Sequence, residues 1–144
     1  MLAAMLRRAL FAAPLVMLAA AAQAAPPGSG PAAVGQYVDL QPVGLPIIVR
    51  GQLVNYVFVY IRINLTAGAD ASALRDKEPY FRDALVRDAH RTPFTVATDY
   101  NRVDEARLTT TLLREAQAIA GPGAIRNVVV TSQAPQHRVS APHA

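Results

Sequence analysis

LVNYVFVYIRINL, residues 53–65, is the stretch from which the fold can be read. Val57, Val59, Ile61, Ile63 and Leu65 fall on one face of an extended chain, and Tyr56, Phe58, Tyr60, Arg62 and Asn64 on the other. A period of two sustained over so many residues has no helical counterpart. The segment therefore reads as a long strand of an antiparallel-type sheet. Its aliphatic face has to be covered, and helices are the expected cover. The opposite face is aromatic at first and turns polar toward Asn64.

Upstream, Tyr37-Val38-Asp39-Leu40 alternates in the same way and is ended by Pro42. Residues 45–50 form a second β-rich run, with Pro46 at its start, where a missing N–H does least harm. Gly51-Gln52 supplies a tight turn into the long strand. Downstream, Ala67-Gly68-Ala69-Asp70 breaks the strand, and Asp70 is a good helix N-cap. Leu74, Phe81 and Leu85 share a helical face, while Pro79 must either kink that helix or begin its main part. Asp83 and Arg87, four residues apart, make a surface pair.

Thr92-Pro93 opens a connection to about Tyr100. Asn101 then reads as an N-cap ahead of Asp104 and Glu105, whose charges suit the first turn of a helix. That helix offers Val103, Leu108, Leu112, Ala116 and Ile119 at helical spacing and stops at Gly121-Pro122-Gly123. Residues 125–131 (IRNVVVT) are the last strand. The order β-β-β-α-α-β predicts an α+β fold: a two-layer domain with a mostly antiparallel sheet packed on two helices.

Ahead of the domain, Arg7-Arg8 precede an uncharged run over residues 9–22, followed by Ala22-Gln23-Ala24. A positive segment, an apolar segment of about 7–15 residues and a small-x-small site make an export signal. Residues 1–24 are read as a signal peptide or an N-terminal anchor. The run of 14 uncharged residues is short against the roughly 20 of a spanning helix, which favours cleavage after Ala24. Residues 25–36 read as a Pro/Gly-rich linker, residues 37–133 as the folded domain, and residues 134–144 as a disordered tail.

The chain has no cysteine, so it forms no disulfide, thiol nucleophile or thiolate metal site. An exported domain of this kind folds on its hydrophobic core alone, and the bacterial periplasm is its expected compartment. Beyond residue 24, 12 Arg or Lys face 10 Asp or Glu, and Lys77 is the only lysine. Without a basic stripe, nucleic acid is not an expected partner.

The sequence holds candidates for chemistry and no assigned site. His90 sits near Asp88 at a helix end, where a cation suits the helix dipole, and no nucleophile is identifiable beside it. His137 and His143 lie in the tail as a candidate metal pair. Asp99, Asn101, Asp104 and Glu105 offer oxygens for calcium but lack the glycine and bidentate glutamate of an EF-hand, and a helix N-terminus explains them more simply. Asn64-Leu65-Thr66 matches a glycosylation sequon but reads as a strand end. The Tyr56, Phe58 and Tyr60 face is a surface for ligands or a subunit interface. No phosphate loop or G-x-S-x-G elbow occurs. No catalytic, cofactor-binding or metal-ligating residue is assigned, and the protein is not expected to be an enzyme.

The ordered set of segments resembles the FliL family of flagellar basal-body-associated proteins over residues 37–133. The resemblance rests on Tyr37-Val38-Asp39-Leu40-Gln41-Pro42, then Tyr56-Val57-Phe58-Val59-Tyr60-Ile61, then Phe81-Arg82-Asp83-Ala84-Leu85. Leu108 and Leu112 of the second helix and Asn127-Val128-Val129-Val130 complete it. It implies a stomatin-like α+β domain that oligomerises beside the flagellar motor and contacts the stator units or basal body. Such proteins support swimming without catalysis or cofactor. The family usually keeps a basic cytoplasmic tail and an uncleaved spanning helix, which the first 24 residues here do not match. An exported module that binds a ligand or the cell envelope through the aromatic face is the second expectation, and an envelope hydrolase using His90 the third.

Overall fold

In the computed structural model, which describes residues 35–140, β1 (Tyr37–Asp39), β2 (Val43–Val49) and β3 (Gln52–Leu65) come first. Then follow α1 (Ala71–Asp76), α2 (Glu78–Arg91), β4 (Thr95–Val96), β5 (Asp99–Val103), α3 (Glu105–Ala120) and β6 (Ile125–Pro135). The fold is α+β, with antiparallel pairing throughout.

β3 is the axis of the main sheet. It pairs with β2 over its first half, with β1 over its last residues, and with β6 along Val57–Leu65. Val57, Phe58 and Val59 each have partners in both β2 and β6, so these two strands lie on opposite sides of β3. Ile63, likewise shared by β1 and β6, puts β1 on the same side as β2. The odd-numbered aliphatic residues of β3 from Val57 to Leu65 are all buried. They share one core with Leu74, Phe81, Leu85, Leu108, Leu112 and Ala116. Each Val, Leu, Ile or Phe side chain among them, removed from water, stabilises the fold by about 1.5–3 kcal/mol before entropy is counted. The helices thus lie on the aliphatic side of β3, as its alternation predicts.

The hairpin between β2 and β3 turns at Arg50-Gly51, one residue before the expected Gly51-Gln52. Val49 pairs with Gln52, and both turn residues have positive φ, 51° at Arg50 and 77° at Gly51. That is the backbone of a two-residue type I′ turn, whose twist matches the flanking strands. β2 also begins earlier than expected, so Pro46 sits mid-strand rather than at the start. β2 is an outer strand, where a missing N–H can face away from the ladder.

The first helical region divides at Lys77, and Pro79 begins the main part, α2, in one of its first two positions. Asp70 caps α1 by accepting the Ala73 N–H at 3.0 Å. Lys77 reaches across to the carbonyl end of α3, its Nζ 3.3 Å from the Ile119 oxygen, where a cation offsets the helix dipole. There are therefore three helices among the described residues, not two.

The connection after Thr92 holds a small second sheet, β4 with β5, that the sequence reading missed. Its consequence is that Asn101 and Val103 belong to a strand, and Asp104 is the N-cap of α3, accepting the Arg107 N–H at 3.1 Å. Val103 is buried as expected, but from β5. The tail reading is also corrected. β6 carries its pairing with β3 on to Pro135, past Gln133, and the next residues are held by hydrogen bonds to Tyr56, Asn55 and Asn101. The expected signal segment, nearly all of the linker and residues 141–144 lie outside the described residues.

Candidate functional site

The outer face of the main sheet carries the aromatic row read from the sequence. Phe58 and Tyr60 are 41% and 43% exposed, and Val129, opposite Arg62 on β6, is 40% exposed. Tyr56 is half-buried. Phe58 lies across from Gly44 of β2, and its ring closes over the bare backbone there: a Cβ on Gly44 would meet Phe58 Cε1 at 3.2 Å. Ala134 faces Phe58 from the other side. An apolar strip thus crosses the middle of the sheet, exposed side chains borne on a rigid backbone.

Its polar boundary is built by β1. Arg62 donates through Nε and Nη2 to the two carboxylate oxygens of Asp39, at 2.7 and 2.9 Å. Its guanidinium stacks 3.8 Å from the centroid of the Tyr37 ring. The bond to Asp39 holds the Arg62 guanidinium pKa above its ordinary value. This planar, bidentate arrangement fixes the Arg62 guanidinium against β1, at the edge of the aromatic strip.

The polar candidates do not converge on a reacting centre. His90 Nδ1 lies 2.8 Å from the Val86 carbonyl oxygen, one turn back in α2, so that nitrogen carries the proton. Asp88 turns to Arg91 instead, at 3.5 Å, and its other oxygen is buried without a partner. His137 contributes its main chain to Asn55, and His143 lies outside the described residues. Among the described residues no three His, Asp or Glu side chains gather as metal ligands.

The supposed calcium oxygens are already engaged with the chain. Asp99 Oδ1 accepts the Asn101 backbone N–H at 2.9 Å and its side-chain Nδ2 at 3.1 Å. Those two bonds hold the Asp99 carboxyl pKa below its ordinary value. Asp104 caps α3, and Glu105 accepts a hydrogen bond from Gln133. A groove of about 600 Å³ runs beside them, lined by Asp99, Arg102, Asp104 and Glu105 among others. Asn64 and Thr66 of the sequon are likewise occupied, with Asn127 and the Gly123 carbonyl.

The chain matches no protein-family model and no curated protein sequence. The architecture and the side chains therefore carry the functional argument.

Asn55 is the functional-looking residue that the sequence reading passed over. It is the only polar residue among the buried side chains of the described region, 4% exposed. It falls on the odd, core-facing side of β3, in line with Val57 and Val59. A polar side chain on an otherwise aliphatic face was the signal that would have found it. Its Nδ2 donates to the Tyr100 carbonyl at 3.0 Å and to the His137 carbonyl at 2.9 Å, tying β3 to β5 and to the C-terminal segment.

Proposed function

We propose that this chain is a non-enzymatic structural protein of the bacterial periplasm that works through protein–protein contacts. In the manner of the FliL family it resembles, it assists the flagellar motor and swimming beside the stator units or basal body, as a homo-oligomer. One observation carries the contact reading: Phe58, Tyr60 and Val129 stand exposed together on the outer sheet face, with the Arg62–Asp39 pair beside them. Aromatic residues and a bidentate arginine are the side chains that dominate protein interfaces. A strand-borne row of this kind also costs little entropy to immobilise, because the backbone beneath it is already fixed.

The export signal in residues 1–24 supports the compartment, and the segment order supports the family. Deleting the gene from a flagellated host is the test. The swimming halo in soft agar shrinks, and the wild-type gene restores it while a Phe58→Lys gene does not. Unchanged swimming after a clean deletion refutes the flagellar role and favours the exported ligand- or envelope-binding module.

A further inference from the structure

Asn55 and Asn101 treat the C-terminal segment as a neighbouring strand would. Asn55 Oδ1 accepts the His137 N–H at 3.3 Å, and its Nδ2 donates to the His137 carbonyl at 2.9 Å. Asn101 repeats the pattern two residues on, accepting the Val139 N–H at 2.7 Å and donating to the Val139 carbonyl at 2.6 Å. Spacing by two is the repeat of an extended chain, whose alternate residues turn the same way. Both amides are held in place: Asn55 by the Tyr100 carbonyl and the Tyr56 N–H, Asn101 by Asp99. His137, Arg138 and Ser140 are exposed, and Val139 is half-buried rather than sunk into the core. The grip is therefore on the main chain, and it requires only a free N–H at two alternate positions.

We propose that Asn55 and Asn101 form a binding track for an extended main chain, filled by the C-terminal segment of the same copy and open to exchange with that of a second copy. The fit of residues 136–139 argues for that occupant, because every other copy carries the identical segment. The segment can leave without disturbing the core, since it lies beyond β6 and is anchored by hydrogen bonds rather than by buried side chains. A tethered segment faces its own track at an effective concentration on the order of millimolar, so exchange favours copies already held side by side. The inference stands on these hydrogen bonds and does not depend on a flagellar role.

Two full-length variants separate track from occupant. Val139→Pro lacks the N–H that Asn101 accepts and opens the Asn101 end of the track. Asn101→Ala damages its own track and frees its intact C-terminal segment. Adding unlabelled Asn101→Ala chain to isotope-labelled Val139→Pro chain shifts the side-chain amide resonances of Asn55 and Asn101 saturably. The double variant Asn101→Ala/Val139→Pro, used as the added chain, shifts neither. A synthetic peptide of residues 134–144 replaces the added chain as an independent donor, and the same peptide N-methylated at Val139 binds about threefold to tenfold more weakly, since the half-buried Asn101 amide loses the N–H it accepts. Absence of any shift with both donors, equal shifts with the double variant, or indifference to N-methylation overturns the proposal.

Discussion

Asn55→Ala is the substitution whose cost can be worked most directly from the structure. The alanine removes four hydrogen bonds: to the Tyr100 carbonyl, to the N–H and carbonyl of His137, and from the Tyr56 N–H. His137 is exposed, so water takes over its groups and that part of the loss is small. The Tyr100 carbonyl is half-sheltered and keeps no equivalent partner, which costs about 1–3 kcal/mol. Adding the exposed bonds at the lower end of their range gives a destabilisation of about 2–4 kcal/mol. For a domain of this size each kcal/mol lowers the melting temperature by about 4–8 °C, so the drop is roughly 8–32 °C. Thermal unfolding followed by circular dichroism on the purified chain reads it. A chain ending at Pro135 supplies the control, because there the His137 bonds are already gone and the same alanine costs about 1 kcal/mol less. A loss below about 0.5 kcal/mol in the full chain, the level of an ordinary surface change, counts against Asn55 as the tie between β3, β5 and the C-terminal segment. So does an equal loss in both chains.

Other outcomes follow from the same structure. Arg50→Asn places a residue tolerant of positive φ in the type I′ turn beside Gly51, and raises stability by about 0.5–1 kcal/mol in denaturant titration. The Asp99 carboxyl has a folded pKa below its ordinary value, so its contribution to stability is complete above the ordinary value and is lost as pH falls through the lower, folded one. Carboxyl NMR titration of Asp99 shows this, and Asn101→Ala moves the titration upward. The protein recovered from the periplasm of expressing cells starts at Ala25 by mass spectrometry; an intact Met1 instead identifies a retained anchor.

The main sheet and both long helices were legible because their periods are long and clean. Val57 to Leu65 can be nothing but a strand face, and Leu108, Leu112 and Ala116 nothing but a helix stripe. The β4–β5 pair was not legible, because Asp99-Tyr100-Asn101-Arg102 is polar and short, and its pairing comes from the opposite strand rather than from a pattern of its own. Asn101 has the residue type of an N-cap, with acids following it, and so the sequence puts the start of α3 three residues too early; the side chain of Asn101 is spent on Val139, and Asp104 takes the cap. The end of β6 was hidden for the same reason as β4–β5. Ser132-Gln133-Ala134-Pro135 has no β signature, and only the presence of β3 alongside makes it a strand. Of the candidate site, the aromatic face was readable by alternation alone. The Asn55–Asn101 track was not, since it joins residues 46 apart in sequence to a segment that composition marked as tail.

The contact role proposed for the outer sheet face rests on Phe58 more than on any other residue. Light scattering of the purified, processed protein, wild type against Phe58→Lys, measures it most directly. Phe58 is 41% exposed, so lysine is accommodated at its position without loss of the fold. The expected wild-type molar mass is a multiple of the monomer's, and the Phe58→Lys mass falls to the monomer. A wild-type protein that stays monomeric at every concentration, or a lysine variant with unchanged mass, contradicts that role.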